Sequence, residues 1–427
     1  MSPGRLLSKV HRVLPWVYGV SALRLLTPIA VLPVMAARLG AGEFGRLSFI
    51  VVWAALLSII VEGGFLAAAT RVAVSADPAK RWTLAQQIFT ARCVLCLPVV
   101  LLAIIVAWSV RKPSVAAQGL NCWLDASAIA ALAIVLGWPA TWYLQATQQL
   151  NRWSRIEIAV HLAAVLLFVT IAHSVATYVL IQGAAAAALA ILGWRWLYRD
   201  LVRSAERARL WSCSQLVPGL RLGWTMMPVS IAGAAYTLAL PAIGSRQMSS
   251  AELGHYFLVD RIVRALTAAI DPVVSVIYPR IVHAFENGEH EALRYASRWA
   301  LFGGFFGMFL LTTGLLIWPT ALRFLPLQSG GMDHDRLCAI FMVLGLLLPM
   351  LMGWKFFGYW MLGSGRYDHA YRLCIVIGAG IGLFGAAVAG TTGALGLAWT
   401  AIASEAGVVI TAIAGVYLTR RATSRMS

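Results

Sequence analysis

The sequence predicts an all-α polytopic membrane protein, with about twelve transmembrane helices in two parallel six-helix bundles around a central cavity. Three observations carry that expectation. First, 60% of the 427 residues are hydrophobic and only 12% are charged, whereas soluble domains stand nearer a quarter charged. Second, apolar runs long enough to cross roughly 30 Å of hydrocarbon recur from one end of the chain to the other. Third, the basic residues alternate. Loops holding Lys80, Arg81, Arg152, Arg155, Arg195, Arg199, Arg294, Arg298, Arg366 and Arg372 alternate with sparser loops, whose basic residues are Arg38, Arg46, Arg111, Lys112, Arg246, Arg323 and Arg336. Such asymmetry places the richer loops, and both termini with them, in the cytoplasm.

Taken in order, the expected spans fall near residues 14–36, 47–69, 88–108, 126–144, 157–173, 175–194, 222–243, 255–278, 299–318, 337–362, 373–390 and 395–417. The N-terminus carries Arg5, Lys9 and Arg12 before an apolar run, but has no small-residue cleavage site, so it reads as a retained first helix. An arginine-rich stretch near the chain's midpoint, 199–221, reads as a cytoplasmic linker between bundles at 1–198 and 222–427. An internal echo supports two halves. Ala41-Gly-Glu-Phe-Gly45 follows span one and Ala251-Glu-Leu-Gly254 follows span seven, with Glu43 and Glu252 offset by 209 positions. With an even number of spans per half, the repeats are parallel, related by an axis along the membrane normal.

The net charge of +17 does not indicate nucleic acid, because the basic residues sit where topology places them; attraction to anionic lipid headgroups follows from the same distribution. Cys93 and Cys96 form a CxxC pattern inside an apolar span, where buried thiols are the ordinary reading, and no His/Cys set has metal-ligand spacing.

The richest stretch is His255–Arg280, which reads as one membrane-length helix. At 100° per residue, Asp260, Arg264, Thr267 and Asp271 fall within about 60° of one another, with Tyr256 and Tyr278 on the same stripe and Arg261 to one side. One Arg, Lys or Asp near the bilayer centre costs roughly 2.5–3.5 kcal/mol. Four facing lipid would be prohibitive, so this stripe is expected to line something wet. Asp260 and Arg264 have the i, i+4 spacing of an intrahelical ion pair. Asp271 lies too far along to share that pair and precedes Pro272; a carboxylate there can titrate, bind a cation, or bond a nearby basic or hydroxyl group. Glu62, beside Gly63 and Gly64, raises the same choice, with backbone capping or a pair with Arg71 as further readings. Arg24 lies mid-span, four residues before Pro28. Arg92 is expected to snorkel toward an interface, and Lys355 stands among Trp354, Tyr359 and Trp360. Trp16, Trp108, Trp194 and Trp318 fit interfacial belts, while Trp138 and Trp142 are candidates for stacking on sugars.

Several of these stretches carry a resemblance: Arg38-Leu-Gly-Ala-Gly-Glu-Phe-Gly-Arg-Leu-Ser48, Glu62-Gly-Gly-Phe65, Ser249-Ser-Ala-Glu-Leu-Gly-His-Tyr256 and Tyr278-Pro-Arg280. With the topology, they make the chain resemble the Wzx-type lipid-linked oligosaccharide flippases. These form the polysaccharide-transporter branch of the multidrug/oligosaccharidyl-lipid/polysaccharide (MOP) superfamily. The resemblance implies translocation of an undecaprenyl-pyrophosphate-linked glycan from the cytoplasmic to the periplasmic leaflet of a bacterial inner membrane by alternating access, without catalysis. It implies no resident cofactor, with coupling to a proton or sodium gradient. Membrane lipids, a polysaccharide polymerase and a chain-length regulator would be its partners. Within that frame Arg24, Arg261, Arg264 and Lys355 are candidates for pyrophosphate and glycan, since guanidinium groups bind phosphate bidentately; Asp260, Asp271 and Glu62 are candidates for ion coupling. Two roles fit Arg264, holding phosphate or only neutralising Asp260. A MATE-like drug/cation antiporter and a membrane-embedded polymerase or glycosyltransferase are the alternatives. The surplus of mid-membrane arginine opposes the antiporter, and the short outer loops, with Glu43 the only acid in the first, oppose the enzyme.

Overall fold

A computed structural model describes residues 3–110, 117–147, 149–202, 209–224, 226–324, 333–364, 366–389 and 392–424. Those residues are helical and connecting segments, without strands. Nine helices among them are long and apolar enough to cross a membrane. The chain is an all-α, multi-pass membrane protein, as its hydropathy predicts.

The chain divides into two compact units, Met1–Arg24 with Leu47–Leu238, and Leu25–Arg46 with Ala239–Ser427. Its helices are α1 (Pro3–Glu62), α2 (Phe65–Ser75), α3 (Pro78–Val110), α4 (Ala117–Leu136), α5 (Thr141–Ala146), α6 (Leu150–Ile171), α7 (Val175–Leu201), α8 (Leu216–Trp224), α9 (Met227–Gly244), α10 (Ser250–Ala268), α11 (Asp271–Ala284), α12 (Glu289–Phe324), α13 (His334–Gly345), α14 (Leu347–Ser364), α15 (Asp368–Ala389) and α16 (Gly393–Ser424). Local signals set several of the starts. Ser174 and Thr177 form a capping box at α7, Ser249 accepts from the Glu252 N–H at α10, and Asp333 accepts from two N–H groups at α13. Spans one and two are a single run, α1, kinked at Gly40 (φ 76°, ψ 166°).

The first unit packs around aromatic side chains. Phe65, Trp82, Trp142, Tyr143, Trp153 and Trp194 are all buried in one cluster. Phe89 sits edge-on to both Trp138 (5.7 Å) and Trp194 (5.4 Å), and the Trp194 indole donates to the Trp138 carbonyl at 2.9 Å. Trp142 is fully buried, which leaves it no face for a sugar, and Trp138 is partly buried against this core. Trp194, expected at an interface, belongs to the same core, whereas Trp108 and Trp123 pair edge to face at 6.0 Å, both half exposed. Trp16 and Trp318 lie outside the described side chains. The described residues 209–221 of the stretch read as a linker also pack here. Gln86 donates to the Arg209 carbonyl (2.7 Å), the Ser212 N–H donates to Thr90 (3.1 Å), and Gly219 of α8 rests against the Gln87 backbone of α3.

In the second unit the two echo motifs meet. A Cβ on Gly45 would stand 1.5 Å from the Ser250 carbonyl oxygen, and one on Gly254 would stand 2.8 Å from that of Ala41. Gly45 and Gly254 are themselves 209 positions apart, so the repeated glycine is the contact point of the repeated segments. Phe44 and Phe257 close the crossing at 5.9 Å. At one end of this unit Glu289 gathers Arg420 (2.7 Å), Arg366 (3.2 Å) and the Tyr367 hydroxyl (2.7 Å), tying α12, α16 and the α14–α15 turn together. Elsewhere the outward positions are apolar, as at Phe305 (73% exposed), Leu316 (73%) and Phe384 (74%). That inversion of the soluble pattern is what hydrocarbon solvent requires.

Candidate functional site

The stretch His255–Arg280 is two helices and not one. α10 ends at Ala268 and α11 begins at Asp271, with a turn at Ala269–Ile270 between them. Pro272 explains the break: it has no N–H to give the carbonyl four residues back, and it disfavours helical geometry at Asp271. A break inside a span exposes carbonyls at one end and N–H groups at the other, and in hydrocarbon each must find a partner. Lys355 of α14 meets the first need and also holds the acid at the start of α11. Its ammonium donates to the Thr267 carbonyl (3.1 Å) and pairs with the Asp271 carboxylate. That carboxylate in turn sits at the start of α11, where the helix dipole favours negative charge.

One turn back, Arg264 Nε lies 2.8 Å from Asp260 Oδ1, confirming the i, i+4 geometry read from the sequence. Asp260 is buried (2% exposed) and the Arg264 side chain is 23% exposed. Glu405 of α16, itself 7% exposed, lies within electrostatic reach of Arg264. Arg261 points elsewhere, its guanidinium 4.9 Å from the Phe257 ring centroid. Tyr256 is fully buried. The Tyr278 and Tyr359 rings meet at 4.9 Å, tilted by 51°, and Tyr359 lies within electrostatic reach of Asp271.

The structure thus sets two ion pairs along α10–α11, Asp260 with Arg264 and Asp271 with Lys355. Of the readings open to Asp271, the structure shows the bond to a nearby base. Asp271 has a partner, supplied by a helix 84 residues away, so it is not the isolated carboxylate that its own helix implies. Lys355, a candidate for pyrophosphate and glycan, is the base of that pair. Arg24 lies outside the described side chains.

Glu62 of the first unit occupies the corresponding place. α1 ends at Glu62, Gly63 and Gly64 take left-handed φ values of 61° and 73°, and α2 starts at Phe65. The Glu62 carboxylate accepts from the N–H groups of Gly64 (2.9 Å) and Leu66 (2.6 Å), the capping role raised above. Arg92, expected to snorkel, is instead buried (1% exposed), donating to the Pro139 carbonyl (2.9 Å) with its guanidinium 5.6 Å from the Phe65 ring. Glu62 supplies the opposite charge to it. Glu62 and Asp271 are again 209 positions apart. Each repeat therefore breaks its second helix at an acid, and each brings a base to that break.

Sequence reasoning missed Glu405, together with the buried acids Asp125 and Glu157 of α4 and α6. The signal was present, since any acid within an apolar span marks a candidate site.

A family model described as "Polysaccharide biosynthesis protein" matches residues 17–285. The fold is similar to that of the lipid II flippase MurJ in an inward closed conformation, with a TM-score of 0.67 and 11% identity, covering 95% of this chain and 86% of that one. It is also similar to an inward-facing multidrug resistance MATE family transporter of the MOP superfamily (TM-score 0.61, 13% identity, 95% and 98% covered). A third likeness is to the eukaryotic MATE transporter AtDTX14 (0.52, 15%, 99% and 99%). At these identities the likeness is one of fold. No curated protein matches the chain.

Proposed function

The chain belongs to the polysaccharide biosynthesis protein family, and from that premise we propose that it is a flippase for an undecaprenyl-pyrophosphate-linked oligosaccharide. In this reading it works in the inner membrane, both termini cytoplasmic, and delivers glycan for surface polysaccharide such as O-antigen or exopolysaccharide. Its partners are the lipid-linked glycan, the surrounding lipids, and the polymerase and chain-length regulator that use the product.

The observation that carries the reading is the broken α10–α11 segment, where Arg264, Asp271 and Lys355 remain partly exposed within an apolar helix bundle. Exposed charge at such a position has no use facing hydrocarbon; it suits a hydrated path for a polar head group whose prenyl tail stays in lipid. Arg264 keeps N–H donors beyond the one given to Asp260, in the planar array that grips phosphate oxygens, and Arg24 and Arg261 are the further cations of the same reading. Coupling to a proton or sodium gradient would run through Asp260, Asp271 or Glu62, and each would first have to exchange the partner it now holds. The antiporter alternative is less well supported, because the acids of α10–α11 are matched by bases and leave an organic cation no free carboxylate there.

In a strain deleted for the gene, the wild-type chain should restore surface glycan. Arg24→Ala and Arg264→Ala should leave lipid-linked glycan stranded on the cytoplasmic leaflet. Normal surface glycan from both variants at normal protein levels would overturn the cationic reading, and single repeat units appearing outside would indicate a polymerase instead.

A further inference from the structure

The Lys355–Asp271 pair is poorly suited to the pyrophosphate of such a substrate. Its charges cancel, and an approaching dianion would meet the Asp271 carboxylate, the more exposed member at 57% against 27% for Lys355. What the pair does offer is a carboxylate acceptor and an ammonium donor side by side. Next to it stands an aromatic wall. Tyr359 follows Lys355 by four residues on α14 and Tyr278 follows Asp271 by seven on α11, so each ring shares a face with its charged neighbour. The rings lie 4.9 Å apart at 51°, and Tyr359 is 36% exposed.

A neutral pyranose has the complementary chemistry. Its axial C–H groups form an apolar face that lies against a rigid aromatic ring, and its equatorial hydroxyls donate charge-assisted hydrogen bonds to a carboxylate. We propose that Tyr278, Tyr359, Asp271 and Lys355 form a subsite for a neutral sugar residue of the lipid-linked glycan. Arg264 and its neighbours serve the phosphates; this subsite reads the glycan and sets which glycans are carried. The inference rests on the flippase reading, and it places sugar stacking at Tyr278 and Tyr359 where the fully buried Trp142 offers no face.

The test uses the full chain in nanodiscs and two probes, lipid-linked glycan extracted from the deletion strain and bare undecaprenyl pyrophosphate. Wild-type protein should bind the glycosylated lipid more tightly. Tyr359→Ala should lose about 3- to 10-fold of that preference, the value of one aromatic contact, while its affinity for the bare lipid stays within about twofold. Tyr359→Phe keeps the ring and should keep most of the preference, which also controls for folding. Equal wild-type affinity for the two probes would overturn the subsite, as would an equal loss for both in Tyr359→Ala. In that event, flipping of both lipids in proteoliposomes would leave the flippase reading standing. Failure to bind or move either lipid would overturn the two together.

Discussion

Neutralising Asp260 separates the two roles open to Arg264. Asp260→Asn leaves the guanidinium in place but removes its 2.8 Å partner from a site where the carboxylate is 2% exposed. Breaking a buried pair by deleting one member costs about 3–5 kcal/mol. Glu405 remains within reach of Arg264 and offsets part of the loss, which places the expected value near the lower end, about 3 kcal/mol. At roughly 2 °C per kcal/mol for a large chain, the apparent melting temperature should fall by about 6 °C in a detergent thermal-unfolding assay. Adding Arg264→Gln removes the stranded cation and restores the charge balance. The double variant should therefore recover to within about 2 °C of wild type, since replacing both members of a buried pair is often near neutral. Stability then returns while the phosphate-gripping group is gone, so surface glycan in the complemented deletion strain should still be lost. Wild-type glycan from the double variant would show that Arg264 only neutralises Asp260. A single Asp260→Asn variant as stable as wild type would refute the buried-pair reasoning itself.

Two further outcomes follow from the helix breaks and crossings. Glu62→Ala should cost about 1–2 kcal/mol through loss of the cap on Gly64 and Leu66, while Glu62→Gln, which keeps an acceptor oxygen, should cost about half as much; equal melting-temperature losses would mean that charge opposite Arg92, and not capping, is what matters. Gly45→Ala should abolish the monodisperse peak in size-exclusion chromatography, because its methyl group would fall 1.5 Å from the Ser250 carbonyl, whereas Gly42→Ala, with nothing within 4 Å, should behave as wild type. A folded Gly45→Ala protein would remove the crossing from the fold as described.

The fold class was legible because hydrocarbon imposes one requirement on every span, and hydropathy measures it directly. Helix continuity was not, because a window of some twenty residues averages over a two-residue turn such as Ala269–Ile270; Pro272 was the local signal. The Asp260–Arg264 pair could be read because both residues lie on one turn of helix. The Asp271 partner could not, since Lys355 reaches it through tertiary packing. Arg92 was misread for a related reason. A position near a helix end suggests snorkelling, but a carbonyl freed at Pro139 and a helix break at Gly63–Gly64 had created a polar niche inside the core. The 209-residue offset proved more informative than its first use, since it also relates Gly45 to Gly254 and Glu62 to Asp271.

The two ion pairs of α10–α11 differ in when they can form during synthesis. Asp260 and Arg264 are four residues apart and neutralise each other as soon as their turn of helix exists, so they leave the translocon already matched. Asp271 must wait for Lys355, 84 residues later, which at about 5–20 residues per second is a delay of roughly 4–17 s. For that interval the acid stands at a broken helix end without the lysine that meets it in the fold. Lys355 thus completes, in the folded chain, the charge pairing of a segment translated well before it.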